Sequence, residues 1–139
     1  MRIDSIINGT VIDHIPAGKA MRLYRLLNLD TLDRSVAIMI NVVSDKMAKK
    51  DIIKIDGLIE LDTNILGFVA PHVTVNIIRD EKIVEKKHID LPECLTNVLK
   101  CKNPRCITSV EQELPQIFRL TESEQKIYRC IYCEASAVE

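Results

Sequence analysis

The sequence has no tryptophan, only two phenylalanines and three tyrosines, and only four glycines among its 139 residues. So few aromatic side chains disfavour binding of single-stranded nucleic acid by base stacking. The glycines form neither a P-loop nor a dinucleotide-binding fingerprint. Any bound phosphate therefore has to be held by side chains such as lysine.

An excess of positive charge and long apolar runs are also absent. Nineteen basic and twenty acidic residues give a formal net charge of −1, whereas proteins that bind a phosphate backbone usually carry a positive excess. No segment reaches the roughly 18 consecutive apolar residues that span a bilayer, and residues 1–13 lack the apolar core of a secretory signal. We therefore expect a cytoplasmic globular protein with no nucleic-acid or membrane partner.

The cysteines are distributed unevenly, since none precedes Cys94. The other four form two close pairs, Cys101 with Cys106 and Cys130 with Cys133. In a reducing cytosol, this paired spacing favours one tetrahedral Zn²⁺ site over disulfides or four merely buried thiols. Cys94 fits neither pair and is predicted to pack as a small apolar residue.

The zinc site is predicted to be structural. All four ligand positions are cysteines, so no coordination position stays open for a catalytic water. The module over residues 98–139 is too small to fold securely without the metal, and we expect a small antiparallel sheet with a hairpin connection over Thr121–Gln125. Nearby cations, among them Lys100, Lys102, Arg105 and Arg129, can offset the negative charge of the thiolates.

The rest of the chain alternates between strand and helix patterns. They predict two short strands separated at Asn8-Gly9, a helix over 17–28, a buried strand over 35–43, a strand over 50–55, a helix that starts after Asp62 and ends before Pro71, and a hairpin over 73–87. The fold class is α+β: a ferredoxin-like α/β sandwich, with two helices on an antiparallel sheet, followed by the zinc domain. Domain bounds of 1–92 and 93–139 follow, with 88–97 as the connection.

Several motifs in chain order resemble one known family. They are the octapeptide Gly9–Pro16, the segment Lys49–Ile55, Ala70-Pro71 with Thr74-Val75-Asn76, and the four-cysteine module. Together they resemble the regulatory chain of aspartate carbamoyltransferase over nearly the whole sequence. The octapeptide and the cysteine spacing are specific in combination, whereas zinc ribbons alone occur in many unrelated proteins.

The resemblance implies a non-catalytic subunit. Its N-terminal domain would form a regulatory-chain homodimer and bind nucleoside triphosphates, with CTP and UTP inhibiting and ATP activating, and its zinc domain would dock on the catalytic chain. The implied role is allosteric control of pyrimidine biosynthesis. We expect effector binding to change the packing between the two copies of the homodimer. A rigid-body rotation would then transmit this change to the catalytic chains.

Carried over by position, the resemblance also implies the site residues. The effector site would comprise Ile6, Asp13, His14, Lys50, Lys54, Asn76, Ile78 and Lys86, with the backbone near Ile6 against the base. The surface for the catalytic chain would include Asn103, Arg105 and Glu134. Two positions depart from the family pattern: Glu81 stands where members carry an aromatic residue, and Arg105 stands where asparagine is frequent.

The chemistry of these residues suits a triphosphate, which brings about four negative charges. Lysines would hold the phosphates, and Asp13 would accept from a ribose hydroxyl or orient Lys54. Neighbouring strand residues point to opposite faces, so Asp13 and His14 reach one ligand only if the chain bends there. The alternative is that the lysines are solvated and that Asn76 lies at an exposed edge.

Two other functions compete with this interpretation. A zinc-ribbon adaptor for nucleic acid or transcription machinery would need a positive surface, but residues 98–139 carry six basic and six acidic side chains, and the zinc thiolates add negative charge. An enzyme would need a nucleophile with its base or an open metal site, and the sequence contains neither pattern.

Overall fold

The computed structural model describes residues 6–137. The chain divides into two compact units between Asp90 and Leu91. Within the described residues, no helix is long and apolar enough to cross a membrane. The assignment of the two predicted domains to effector binding and to zinc binding stays a prediction.

The first unit is a five-stranded sheet with two helices. Its elements are β1 (Gly9–Pro16), α1 (Ala20–Leu26), β2 (Val36–Ser44), β3 (Ala48–Asp56), α2 (Thr63–Val69), β4 (Thr74–Arg79) and β5 (Lys82–His88). The strand order is β2-β3-β1-β4-β5, and every neighbouring pair is antiparallel. Each helix therefore connects two strands that are separated by one intervening strand, as in a ferredoxin-like fold. The predicted fold class is confirmed.

The sheet has one apolar face and one face that carries polar groups. Ile12 is paired with Ile53 and with Val75, and this row is at most 5% exposed. It packs with the apolar residues that the two helices bury, among them Leu23 and Leu66. Because side chains alternate along a strand, the residues on either side of this row point to the opposite face.

Helix α1 is shorter than the predicted range of 17–28. Gly18 adopts a left-handed φ of 94°, and the N–H of Lys19 donates to the Pro16 carbonyl, so a turn occupies the start of that range. The side chain of Lys19 does not cap the helix. Instead the fully buried carboxylate of Asp51, on β3, accepts from the backbone N–H groups of Gly18 and Ala20 at 3.0 and 3.2 Å.

Other local predictions had mixed outcomes. Asp62 caps α2 by accepting from the N–H groups of Asn64 and Ile65, which confirms the predicted start of that helix. The prediction of a buried strand over 35–43 is wrong, because β2 is an edge strand and Val43 is 83% exposed. The first of the two N-terminal strands lies largely outside the described residues.

The second unit is a three-stranded antiparallel sheet. It contains β6 (Cys94–Thr96), a short α3 (Ile107–Val110), β7 (Ile117–Glu122) and β8 (Ile127–Cys130), in the strand order β6-β7-β8. The predicted connection over 88–97 is wrong where it meets β6. Cys94 is exposed rather than packed, because alternation along this strand directs Leu95 into the core instead.

Candidate functional site: a cationic sheet face and a four-cysteine cluster

The polar face of the five-stranded sheet brings together residues that are distant in sequence. Val11 on β1 is in register with Lys54 on β3 and with Asn76 on β4, and Asn76 is in register with Lys86 on β5. Residues in register on antiparallel strands share a face. Asp13, two residues after Val11, shares it too. We call this surface the cationic face and define it by Asp13, Lys50, Lys54, Asn76 and Lys86.

Strand β1 bends next to this surface. The register with β3 shifts between Ile12 and Ile15, and His14 has a left-handed φ of 60°. The His14 N–H donates to its neighbour Asp13 at 2.6 Å, and the imidazole Nδ1 lies 3.0 Å from the Thr74 hydroxyl oxygen. The bend that Asp13 and His14 need in order to approach one ligand is therefore present.

Asp13 is paired with Lys50 rather than with Lys54. The Lys50 Nζ lies 2.9 Å from the Asp13 Oδ1, and both side chains are at most 20% exposed. Burial acts to raise the pKa of Asp13, but the hydrogen bonds from Lys50 and from the His14 N–H outweigh it and hold the pKa below 3.8. The carboxylate is therefore charged at neutral pH and fixes the position of the Lys50 ammonium.

His14 lies within the electrostatic influence of three lysines. Burial lowers the pKa of His14 below 6.5; the charge of Asp13 opposes this effect, and the charges of Lys50, Lys46 and Lys86 add to it. The imidazole is therefore neutral at pH 7, in surroundings where three lysines and one carboxylate act on it. Lys46, in the β2–β3 hairpin, was not among the sequence-predicted residues, because its approach to His14 depends on how the hairpin folds back.

Asn76 occupies the centre of the cationic face. It is only 8% exposed and lies on β4, between β1 and β5, so it is not an edge residue. Within the part of the chain that the structure describes, its Oδ1 is buried without a hydrogen-bond partner. An unsatisfied buried oxygen costs about 1–3 kcal/mol, and such atoms in folded proteins call for an explanation such as a ligand.

The far end of β1 forms a close junction. Gly9 pairs with Ile78, and a Cβ added to Gly9 would lie 2.5 Å from both the Ile55 carbonyl oxygen and the Ile6 Cγ2. The β4–β5 turn also approaches this segment, since the N–H of Glu81 donates to the Ile7 carbonyl at 2.9 Å. The predicted residues Ile6 and Ile78 therefore both lie beside Gly9 at one end of β1, and His14 lies near the other end.

The second unit gathers the four predicted ligand cysteines. The sulfurs of Cys101, Cys106, Cys130 and Cys133 all lie within 4.8 Å of one another. The Sγ–Sγ distances are 3.6 Å between Cys101 and Cys133 and 3.7 Å between Cys106 and Cys130. Each close pair thus joins one short loop to the other, as a single tetrahedral ion requires.

The thiols fit a divalent metal ion. Burial raises the pKa of Cys101 to about 12, whereas the N–H of Ala135 and the side chain of Asn103 lower the pKa of Cys133 to about 6. Thiols in such different surroundings become thiolates together only when a cation compensates their charge. Four thiolates are the ligand set of a closed structural Zn²⁺ site, and zinc bound there links the two loops.

The predicted docking residues lie around this cluster. Asn103 accepts from the Arg105 N–H through its Oδ1 at 3.1 Å, which shapes the first cysteine loop. Glu134 follows the second loop with a φ of 65°, and its carbonyl accepts from the Arg129 Nη1 at 3.2 Å. Ile107 and Val110 on α3 are 51% and 75% exposed.

The fold and the two sites define a class of protein. An α+β unit with a cationic face, in a chain that also carries a closed four-cysteine site, indicates a protein that binds an anionic ligand and has a structural metal ion. Family models match both parts of the chain: the aspartate carbamoyltransferase regulatory chain, allosteric domain, over residues 1–90, and its metal binding domain over residues 93–139.

Curated relatives agree with the family models. Aspartate carbamoyltransferase regulatory chains from Clostridium botulinum and Clostridium tetani are each 47% identical, over 96% of this chain and 92% and 94% of theirs. The corresponding chain from Bifidobacterium longum is 43% identical over 99% of both. The chain belongs to the aspartate carbamoyltransferase regulatory chain family, as the sequence motifs predict. It is a non-catalytic chain with an allosteric domain and a metal-binding domain for one structural zinc ion.

Proposed function

We propose that this regulatory chain binds nucleoside triphosphates on the cationic face and transmits their effect to the catalytic chain of aspartate carbamoyltransferase in the cytoplasm. CTP and UTP inhibit and ATP activates, so the supply of pyrimidines and purines sets the rate of pyrimidine biosynthesis. The observation that carries the proposal is the buried, unpartnered Oδ1 of Asn76 in the middle of a row that contains Lys54 and Lys86.

The length of β1 orients the ligand. Gly9 and Asp13 are four residues apart, which is about 13 Å along a strand, and a nucleoside triphosphate extended over this distance places its ends at different residues. The phosphates lie at the His14 end, where the charges of Lys50 and Lys86 act on His14. The base lies at the Gly9 end, against Ile6 and Ile78.

The ribose then falls near the centre of the row. The Asn76 Oδ1 accepts from a ribose hydroxyl, which supplies the partner that this atom lacks. Asp13 holds Lys50 in place for the phosphates, since the two side chains form a 2.9 Å ion pair. Lys54 and Asn76 lie on opposite sides of Val11 in the row, and Lys54 reaches the ligand between its ribose and its phosphates.

The second unit docks on the catalytic chain. Asn103, Arg105 and Glu134 provide polar contacts around the metal loops, and the exposed apolar side chains of α3 provide area to bury. A regulatory-chain homodimer forms through the first unit. Its β2 is an edge strand with Ile40 60% and Val43 83% exposed, and a paired second copy would cover such an edge.

Effector binding changes activity only through a difference in affinity between two states of the assembly. Typical coupling free energies are about 1–3 kcal/mol. Effectors with different bases alter packing across the homodimer, and a rigid-body rotation carries the change to the zinc units.

A matched pair of lysine variants tests the effector site. Lys86 is on the cationic face, whereas Lys87 is on the opposite side of β5, in register with Val75 and 3.7 Å from Glu85. Calorimetric titration with CTP and with ATP should show weaker binding for Lys86→Ala and normal binding for Lys87→Ala. Equal affinities in the two variants would contradict the proposed site.

A further inference from the structure

One face of the three-stranded sheet carries two arginines side by side. Arg119 on β7 is in register with Arg129 on β8, Cys94 on β6 is in register with Arg119, and Ser136 forms a bridge with Arg129. The four residues form a row across one face. Arg119 and Arg129 line a cleft of about 350 Å³, together with Thr121, Cys130, Ile131 and Glu134. We call it the arginine cleft.

The thiolate cluster does not explain this pair. Phe118 and Cys130 are also in register, and they are buried on the other face of the sheet. Because side chains alternate, the arginine side chains leave the sheet on the side opposite the Cys130 thiol. The two guanidinium groups are therefore not in contact with that thiol through the sheet, and any effect of Arg129 on the thiolate charge acts over a longer distance.

Within residues 6–137, neither Arg119 nor Arg129 forms an ion pair with a carboxylate. The Arg129 Nη1 donates to the backbone carbonyl of Glu134 at 3.2 Å, which fixes its direction. Like charges directly opposite each other in a sheet are destabilising. Two guanidinium groups side by side at the edge of a cleft would be stabilised by an anion bound between them.

We propose that the arginine cleft receives the carboxylate of an aspartate or glutamate side chain from the catalytic chain. Two guanidinium groups on neighbouring strands can each form a bidentate pair with a planar carboxylate. The cleft also includes Glu134, one of the residues assigned above to the catalytic-chain surface, so it continues that surface. This inference rests on the proposed docking of the second unit.

The test measures association with purified catalytic trimers by sedimentation. Arg119→Gln and Arg129→Gln should each raise the dissociation constant about ten- to one-hundredfold, because each removes hydrogen bonds to a charged group. Lys126→Gln, in the β7–β8 turn, makes the same change of charge in the same sheet and should leave the affinity within about twofold. The arginine variants should also show a smaller loss of affinity when salt is raised.

The exposed thiol of Cys94 gives a second readout that does not depend on substitution. Its alkylation by N-ethylmaleimide should be slower in the complex with catalytic trimers than in the regulatory chain alone. Unchanged alkylation, or arginine variants that bind trimers normally, would overturn the inference while leaving the proposed function standing.

Other occupants give different results. If the arginine variants changed only the self-association of the regulatory chain, a second copy would fill the cleft and the inference would be wrong. If they changed only its thermal stability, the partner would be intramolecular, and the inference would again be wrong. If the unaltered chain did not bind trimers at all, the proposed function itself would fail.

Discussion

Replacing Asn76 with leucine should have opposite effects on stability and on effector binding. The Asn76 Oδ1 is buried without a partner, and the residue is only 8% exposed. Leaving such an atom unsatisfied costs about 1–3 kcal/mol, and an apolar side chain of similar size removes that cost. The free chain should therefore gain about 1 kcal/mol or more in its free energy of unfolding, after allowance for imperfect packing.

The same change should weaken CTP binding. The ribose hydroxyl that we place against Asn76 would lose its acceptor, and about 1–3 kcal/mol corresponds to a five- to 150-fold rise in the dissociation constant. Urea unfolding without ligand measures the first effect, and calorimetric titration with CTP measures the second.

A second variant at the same position separates shape from charge. Asn76→Asp keeps the shape but adds a negative charge to a site for phosphates, so it should weaken binding more than leucine does. The reasoning would be refuted if Asn76→Leu lowered stability by more than about 1 kcal/mol while CTP still bound normally. That result would mean that the asparagine serves the fold and not a ligand.

Three further predictions concern stability. Asp51→Asn should lower the free energy of unfolding by about 3 kcal/mol, because the buried carboxylate accepts three backbone N–H groups. Asp56→Asn, at the exposed end of β3, should change the free energy of unfolding by less than about 0.5 kcal/mol in the same urea titration. The folded-state pKa of Asp13 lies below its ordinary value of 3.8. The charged carboxylate therefore stabilises the fold fully above that pH, and this contribution is lost as the pH falls through the folded-state pKa. Asp13→Asn should flatten this part of a plot of the free energy of unfolding against pH, and an unchanged plot would count against the ion pair. Chelation of zinc should unfold the second unit and release the catalytic chain, and retention of its circular dichroism after complete metal removal would count against a structural ion.

Local chemistry explains which elements were predictable. The start of α2 follows from one side chain, Asp62, which caps the two amides that come after it. The four cysteines were predictable as a cluster because short loops bring each pair together. Both signals lie within a few residues of sequence, so no knowledge of topology was needed.

The features that sequence reasoning missed depend on strand order and register. The edge position of β2 follows from a five-strand order that its apolar sequence does not reveal. Asp51 caps α1 from another strand, and Arg119 meets Arg129 only because of the β7–β8 register. The exposure of Cys94 likewise follows from which neighbour, Leu95, enters the core.

Reconstitution with a catalytic trimer tests the central claim most directly. Carbamoyltransferase activity should be measured with and without CTP, for the trimer alone and for the trimer assembled with this chain. We predict that CTP lowers activity only in the assembly and that the isolated chain has no activity. Equal responses to CTP with and without the chain, or turnover by the chain alone, would contradict a regulatory role.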